Sequence, residues 1–160
     1  MTNKVAPATT PEGSLLDSYR VEGGYVDCFS IDLPNAVTLS ELIVAFYTSS
    51  VFRPERWLLG ALLRKRADNN DVARLAAGET GRFSAWTVEA RRNDEILLCD
   101  FRGQTRSWLM VRPMERGTRL HFGSAVVPAK SRVDRLVFGA LLGFHRAYSR
   151  VLLRGAVRQL

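Results

Sequence analysis

The segment Arg82–Val127, RFSAWTVEARRNDEILLCDFRGQTRSWLMVRPMERGTRLHFGSAVV, decides the fold. Four runs within it, Phe83 to Ala90, Glu95 to Phe101, Arg106 to Met110 and Thr118 to Val127, are rich in the aromatic and aliphatic residues that suit a pleated, half-buried strand. Arg92-Asn93-Asp94, Gly103-Gln104 and Glu115-Arg116-Gly117 separate them, and each is short enough to join antiparallel neighbours. The segment therefore predicts a meander. Alternation along the runs assigns Trp86, Val88, Ile96, Leu98, Trp108, Met110, Leu120 and Phe122 to one apolar face. Such a face requires a cover.

The cover is sought downstream. After Pro128, Ser131-Arg132-Val133-Asp134 gives a helix-start signal, and no proline interrupts the chain to Leu160, so the pattern predicts a final helix of about 25 residues. At 100° per residue, Val133, Val137, Leu141, Phe144, Tyr148, Val151 and Leu152 share one broad apolar sector, with Arg132, Arg135, Arg146 and Arg150 opposite. Upstream, Tyr25 to Leu33 reads as a first strand between Gly23-Gly24 and Pro34. Thr38-Leu39-Ser40-Glu41 has capping-box spacing and opens a helix to about Tyr47. A second helix starts at Pro54, carries Trp57, Leu58, Ala61 and Leu62 on one face and ends in Arg64, Lys65 and Arg66. A short third one, capped by Asp71, stops at Gly78.

The fold class this yields is α+β: a curved antiparallel sheet wrapped around a long C-terminal helix. At 160 residues the chain suits one domain, assigned to 19–160. Residues 1–18 hold Pro7, Pro11 and Gly13 with Leu15 and Leu16 as the sole apolar bulk; they read as a flexible arm without a secretory core, which points to the cytoplasm. The longest apolar run, Leu136 to Phe144, falls short of the roughly 20 residues a membrane-spanning helix needs. The two cysteines, Cys28 and Cys99, and the two histidines, His121 and His145, form no disulfide framework or metal-ligand spacing, so packed, reduced thiols are expected and no metal is implied. No phosphate-binding loop, dinucleotide fingerprint, zinc-protease motif or nucleophile elbow occurs, and no cofactor is expected.

The order of strand, helices, meander and terminal helix resembles the helix-grip architecture of the START-like, or polyketide-cyclase-like, superfamily. The residues that carry a closer likeness are Phe52 to Leu63 around Trp57, Trp86 followed by Asn93-Asp94-Glu95-Ile96-Leu97, Phe144-His145-Arg146, and Leu152-Leu153-Arg154. Together they resemble a bacterial family without an assigned activity, which also occurs appended to epimerase-like NAD(P)-binding proteins. The resemblance implies architecture and carries no catalytic set.

Three functional expectations follow. The leading one is a noncatalytic module that binds an apolar or amphipathic small molecule between sheet and last helix, with Tyr25, Trp86, Trp108, Met110, Phe122, His145 and Tyr148 as candidate ligand-binding residues. An ordinary packed core uses the same residue types. The second is a cyclase- or hydratase-like enzyme, with His145 at the margin of the apolar helix face as acid or base and Asp100 as a further candidate for moving protons. Asp100 equally suits a structural ion pair, with Arg106 and Arg112 as candidate partners. The third is docking to an anionic surface through Arg146, Arg150, Arg154 and Arg158, which recur every four residues in a basic C-terminal third where Asp134 is the single acid after residue 116. A solvated helix face accounts for the same stripe. Gly139 and Gly143 suit a bend or close helix contact, and homo-oligomerisation is left open.

Overall fold

The run Tyr25–Leu33 pairs antiparallel along its whole length with Thr118–Val126, so the first long strand and the last lie side by side although most of the chain separates them. A computed structural model of the protein describes residues 4–21, 25–50, 69–127 and 148–160. In chain order the elements are β1 (Ala6–Pro7), α1 (Asp17–Val21), β2 (Tyr25–Leu33), α2 (Leu39–Thr48), α3 (Asn69–Ala77), β3 (Arg82–Phe83), β4 (Trp86–Arg91), β5 (Glu95–Asp100), β6 (Thr105–Pro113), β7 (Thr118–Val126) and a C-terminal helix, α4, described over 148–157. The seven strands form one open antiparallel sheet in the order β1-β2-β7-β6-β5-β4-β3. The architecture is α+β. Among the described residues no helix is long and apolar enough to cross a membrane. The expected helix around Trp57 and the part of the expected last helix before Tyr148 lie outside the described residues.

Two local signals act where the sequence places them, whereas Asp71, expected as a cap, lies inside α3, which already includes Asn69 and Asn70. Thr38 and Glu41 form both halves of the capping box at the start of α2: the Glu41 amide donates to Thr38 Oγ1 at 3.2 Å, and the Thr38 amide donates to Glu41 Oε2 at 2.8 Å. Helix α3 stops at Gly78, whose φ of +78° is the left-handed conformation glycine tolerates. The guanidinium of Arg91 then donates to the carbonyls of Leu75 and Ala76, at 2.6 and 2.7 Å, tying the end of α3 to β4. Gly117 has φ +86°, and a β-carbon there would come within 1.9 Å of the Leu33 carbonyl oxygen, so only glycine closes the β6–β7 turn.

Both faces of the sheet are buried. On the inner face Phe29, Ile31, Ile96, Leu98, Leu109, Val111, Leu120 and Phe122 share one core with Leu42, Ile43 and Phe46 of α2, Val72 and Leu75 of α3, and Leu152, Leu153 and Ala156 of α4. On the outer face Cys28, Leu97, Trp108 and Ala125 enclose Leu16. Of residues 1–18, read above as a flexible arm, the described part from residue 4 lies against this outer face. Ala6 and Pro7 extend the sheet beside β2, and Leu16 is fully buried.

Glu95 fixes the arm in place. It is 1% exposed and accepts three hydrogen bonds: from the Leu15 amide at 2.8 Å, from Trp108 Nε1 at 2.7 Å, and from Arg92, whose guanidinium also donates to the Gly13 carbonyl. A buried carboxylate with that many donors is satisfied. Gly123 makes room for the arm, because a β-carbon there would lie 2.5 Å from Leu16 Cδ2 and 2.8 Å from the Asp27 carbonyl.

Candidate functional site

The alternation of β6 sets the site, and it runs opposite to the expectation. Trp108 lies opposite Leu97, and Leu109 lies opposite Ile96, so Trp108, Met110 and Arg106 point to the outer face while Ser107, Leu109 and Val111 point inward. Trp108 and Met110 are thereby removed from the ligand-facing set. The physical reason is that β6 carries apolar side chains on both faces, so alternation alone does not choose between them; the pairing with β5 does.

On the inner face, between the sheet and the start of described α4, lies a half-open cavity of about 300 Å³. Its apolar wall is Phe46 of α2, Trp86 of β4, Phe122 of β7, and Tyr148 and Leu152 of α4. Hydroxyls make up much of the rest: Thr105 and Ser107 from β6, Ser124 from β7 and Ser149 from α4. Asp100 ends β5 directly opposite Trp86 and completes the wall, and Phe101, 53% exposed, stands at the opening.

The hydroxyl row is set by register. Ser107 faces Ser124, which faces Asp27, so three small polar side chains cross the sheet one step beyond the apolar row of Leu109, Phe122 and Phe29. Asp27 is 6% exposed; its Oδ1 accepts from the Ser124 amide at 3.1 Å and from Ser124 Oγ at 2.6 Å, and Tyr25 donates to its Oδ2 at 3.4 Å. Two polar groups of the wall remain unsatisfied: Trp86 Nε1 and Ser149 Oγ are buried with no hydrogen-bond partner. A desolvated donor or hydroxyl without a partner is costly, and native cores contain few.

Of the sequence-derived candidates, Trp86, Phe122, Tyr148 and Asp100 meet at this cavity. Tyr25 shares the inner face and reaches Asp27 without lining the space. His145 and Arg146 lie outside the described residues. Asp100 does not pair with Arg106 or Arg112. Its Oδ1 accepts from the Gln104 amide at 2.8 Å and closes the β5–β6 turn. Arg106, on the other face, ion-pairs with Glu89 at 3.0 Å, donates to Tyr19 Oη at 2.9 Å and also donates to the Gly103 carbonyl. Alternation after the inward Val88 puts Glu89 on this face, where a bulge between Val88 and Ala90 leaves it unpaired in the β4–β5 ladder. Arg150 and Arg154 on α4 and Arg158 just beyond its end are exposed, and the Arg150 guanidinium lies 5.3 Å from the centre of the Phe29 ring.

Sequence reasoning missed Phe46, Thr105, Ser107, Ser124 and Ser149. A signal existed for two of them: Ser107 stands two residues from Leu109, and Ser124 two residues from Phe122, so each shares a face with a core residue.

The outer face holds a neutral thiol–imidazole pair. Cys28 Sγ lies 3.8 Å from His121 Nδ1. Burial, reinforced by Asp27, pushes the Cys28 thiol up to about 12; burial, with Arg119 and Arg112 adding to it, pushes His121 down to about 4. A thiol held protonated is a poor nucleophile, so this pair is a packing element. Cys99 is also raised, by desolvation first, with Arg106 opposing. Among the described residues no three His, Cys, Asp or Glu side chains converge as a metal site. No family model, no curated protein and no solved structure matches the chain.

Proposed function

We propose that the protein is a noncatalytic helix-grip module of START-like type that holds one apolar or amphipathic small molecule in the cavity between its sheet and its C-terminal helix. The observation that carries this reading is the cavity's composition: about 300 Å³ bounded by aromatic rings, with Trp86 Nε1 and Ser149 Oγ buried and unpaired in its wall. Ligand sites combine apolar walls with a few polar groups that orient the guest, and they start at about this size. A core filled for stability alone gains nothing from leaving space beside unsatisfied polar atoms.

The test is native mass spectrometry and organic extraction of the purified protein, run beside Ser107→Leu, which places a larger apolar side chain in the space. A compound retained by the native chain and lost from the leucine variant is the expected result. Equal retention by both, or no retention together with no thermal stabilisation by a panel of small aromatic compounds, removes the reading.

A further inference from the structure

We infer that the cavity selects a ligand with a positively charged amine at its polar end, an inference that rests on the binding role proposed above and adds the class of molecule bound. The charge inventory of the wall carries it. Asp100 is a carboxylate in the wall, and Asp27 places a second one directly behind Ser124. Among the described residues neither forms an ion pair, and each accepts hydrogen bonds from backbone amides or hydroxyls only. The one cation among the described lining residues, Arg106, has its guanidinium committed to Glu89, Tyr19 and Gly103 on the opposite side of the sheet.

A half-buried carboxylate at the cavity wall and a buried one behind it, with no cationic partner among the described residues, favour an arriving cation and disfavour an arriving anion. The chain as a whole is basic at +7, which opposes this choice. Distance decides between the two fields: exposed arginines act through water and are screened within about 8–10 Å, whereas a carboxylate in the wall acts at contact.

The rings point the same way. Trp86, Phe122 and Tyr148 surround the space, and aromatic faces attract ammonium groups. This molecule already uses such contacts, with Arg102 5.4 Å from the centre of the Phe101 ring and Arg106 4.9 Å from that of Tyr19. Ser149, 1% exposed with an unpartnered Oγ, supplies an acceptor for an ammonium proton. The remaining hydroxyls of Thr105 and Ser107 are neutral and accept equally well.

Three probes of nearly one size and shape isolate the charge: 2-phenylethylamine, 2-phenylethanol and phenylacetate, titrated calorimetrically into the full chain at neutral pH. The amine is expected to bind roughly tenfold tighter than the alcohol, with the carboxylate weakest. Asp100→Asn keeps the acceptor that Gln104 uses and is expected to bring the amine down to the level of the alcohol while leaving the alcohol unchanged. Ser107→Leu is expected to abolish all three. An alcohol or carboxylate that binds as tightly as the amine overturns the inference and leaves the cavity reading standing. So does an amine preference that survives Asp100→Asn. Binding of none of the probes, or undiminished binding to Ser107→Leu, takes away the cavity reading and this inference with it.

Discussion

On the outer face of the sheet, Leu16 descends onto Gly123 so closely that a single added methyl group would collide with it at 2.5 Å, whereas Phe122, the preceding residue, faces about 300 Å³ of open space on the inner side. Both surfaces belong to one sheet and are built from similar side chains. They differ in what covers them. The outer cover is a short peptide held to the sheet by the pairing of Ala6 and Pro7 with β2, by the Leu15 amide donating to Glu95 and by Arg92 donating to the Gly13 carbonyl. The inner cover consists of helices, whose rigid cylinders meet the sheet at intervals. A covering peptide can fill a surface closely; on the inner face space remains beside the hydroxyls of Thr105, Ser107, Ser124 and Ser149 and the Asp100 carboxylate, with Asp27 behind Ser124.

The largest effect expected from this contrast is on stability. Trp108→Ala removes a fully buried ring and leaves Glu95 without one of its donors, so a loss of about 4 kcal/mol is expected in chemical denaturation. Trp86→Ala removes an equal volume from a half-open wall and is expected to lose only about 1–2 kcal/mol. Equal losses at the two positions would erase the distinction between a filled face and a hollow one.

The pH dependence of stability is expected to follow the outer face. His121 falls from 6.5 to about 4 in the folded chain because burial, with Arg119 and Arg112 beside it, disfavours the imidazolium, and Asp32 opposes this only partly. The unfolded chain therefore binds the proton first as pH falls. The stabilisation is complete above 6.5, declines between 6.5 and about 4, and is gone below that; it amounts to about 3 kcal/mol. His121→Leu is expected to remove this component, so the difference between native and variant unfolding curves should vary across that interval. A constant difference would mean that the imidazole is hydrated when folded.

How far these faces were legible from the sequence depends on the range of the interactions that set them. The capping box Thr38–Glu41 and the Gly78 stop involve residues within one turn, and both form where the pattern puts them. Three of the four runs of the meander appear as β5, β6 and β7, whereas the first, Phe83 to Ala90, is broken at Ser84-Ala85 into the paired strands β3 and β4. The facing of Trp108 is not a local property. In Arg106-Ser107-Trp108-Leu109-Met110-Val111 both parities carry apolar bulk, and only the pairing of Leu97 with Trp108 selects one. The arm depends on a carboxylate 80 positions away, where Leu15 meets Glu95, and no periodicity records such a contact. Alternation with Ile96 and Leu98 gives the face of Asp100, yet its partner is the Gln104 amide, a turn contact that opposite-charge pairing across strands does not indicate.

A smaller effect is expected where the arm meets the sheet. Gly123→Ala sets a β-carbon 2.8 Å from the Asp27 carbonyl and 3.0 Å from the Trp108 ring as well as against Leu16. Backbone and a buried indole cannot yield as a surface side chain would, so overpacking of about 2 kcal/mol is expected, with faster hydrogen exchange at the Leu15 amide as the arm loosens. Unchanged exchange at Leu15 would show that the arm is held independently of this contact.

The smallest effect is the most discriminating, because it compares one chemical change on both faces. Trp108→Phe deletes an N–H that donates to Glu95 at 2.7 Å, leaving a buried carboxylate short of a donor, and is expected to cost about 2 kcal/mol. Trp86→Phe deletes an N–H that has no partner in the folded protein. Removing an unsatisfied buried donor relieves its desolvation penalty, while the smaller ring forfeits some packing, so the two contributions offset and the net change is expected within about 1 kcal/mol of zero. The corresponding loss should appear instead in retention of guests that carry a hydrogen-bond acceptor besides the amine, because the donor that does nothing for the empty fold is available to such an acceptor. A Trp86→Phe variant that is strongly destabilised yet retains its ligand fully would assign the indole to the core and leave the cavity without its orienting group.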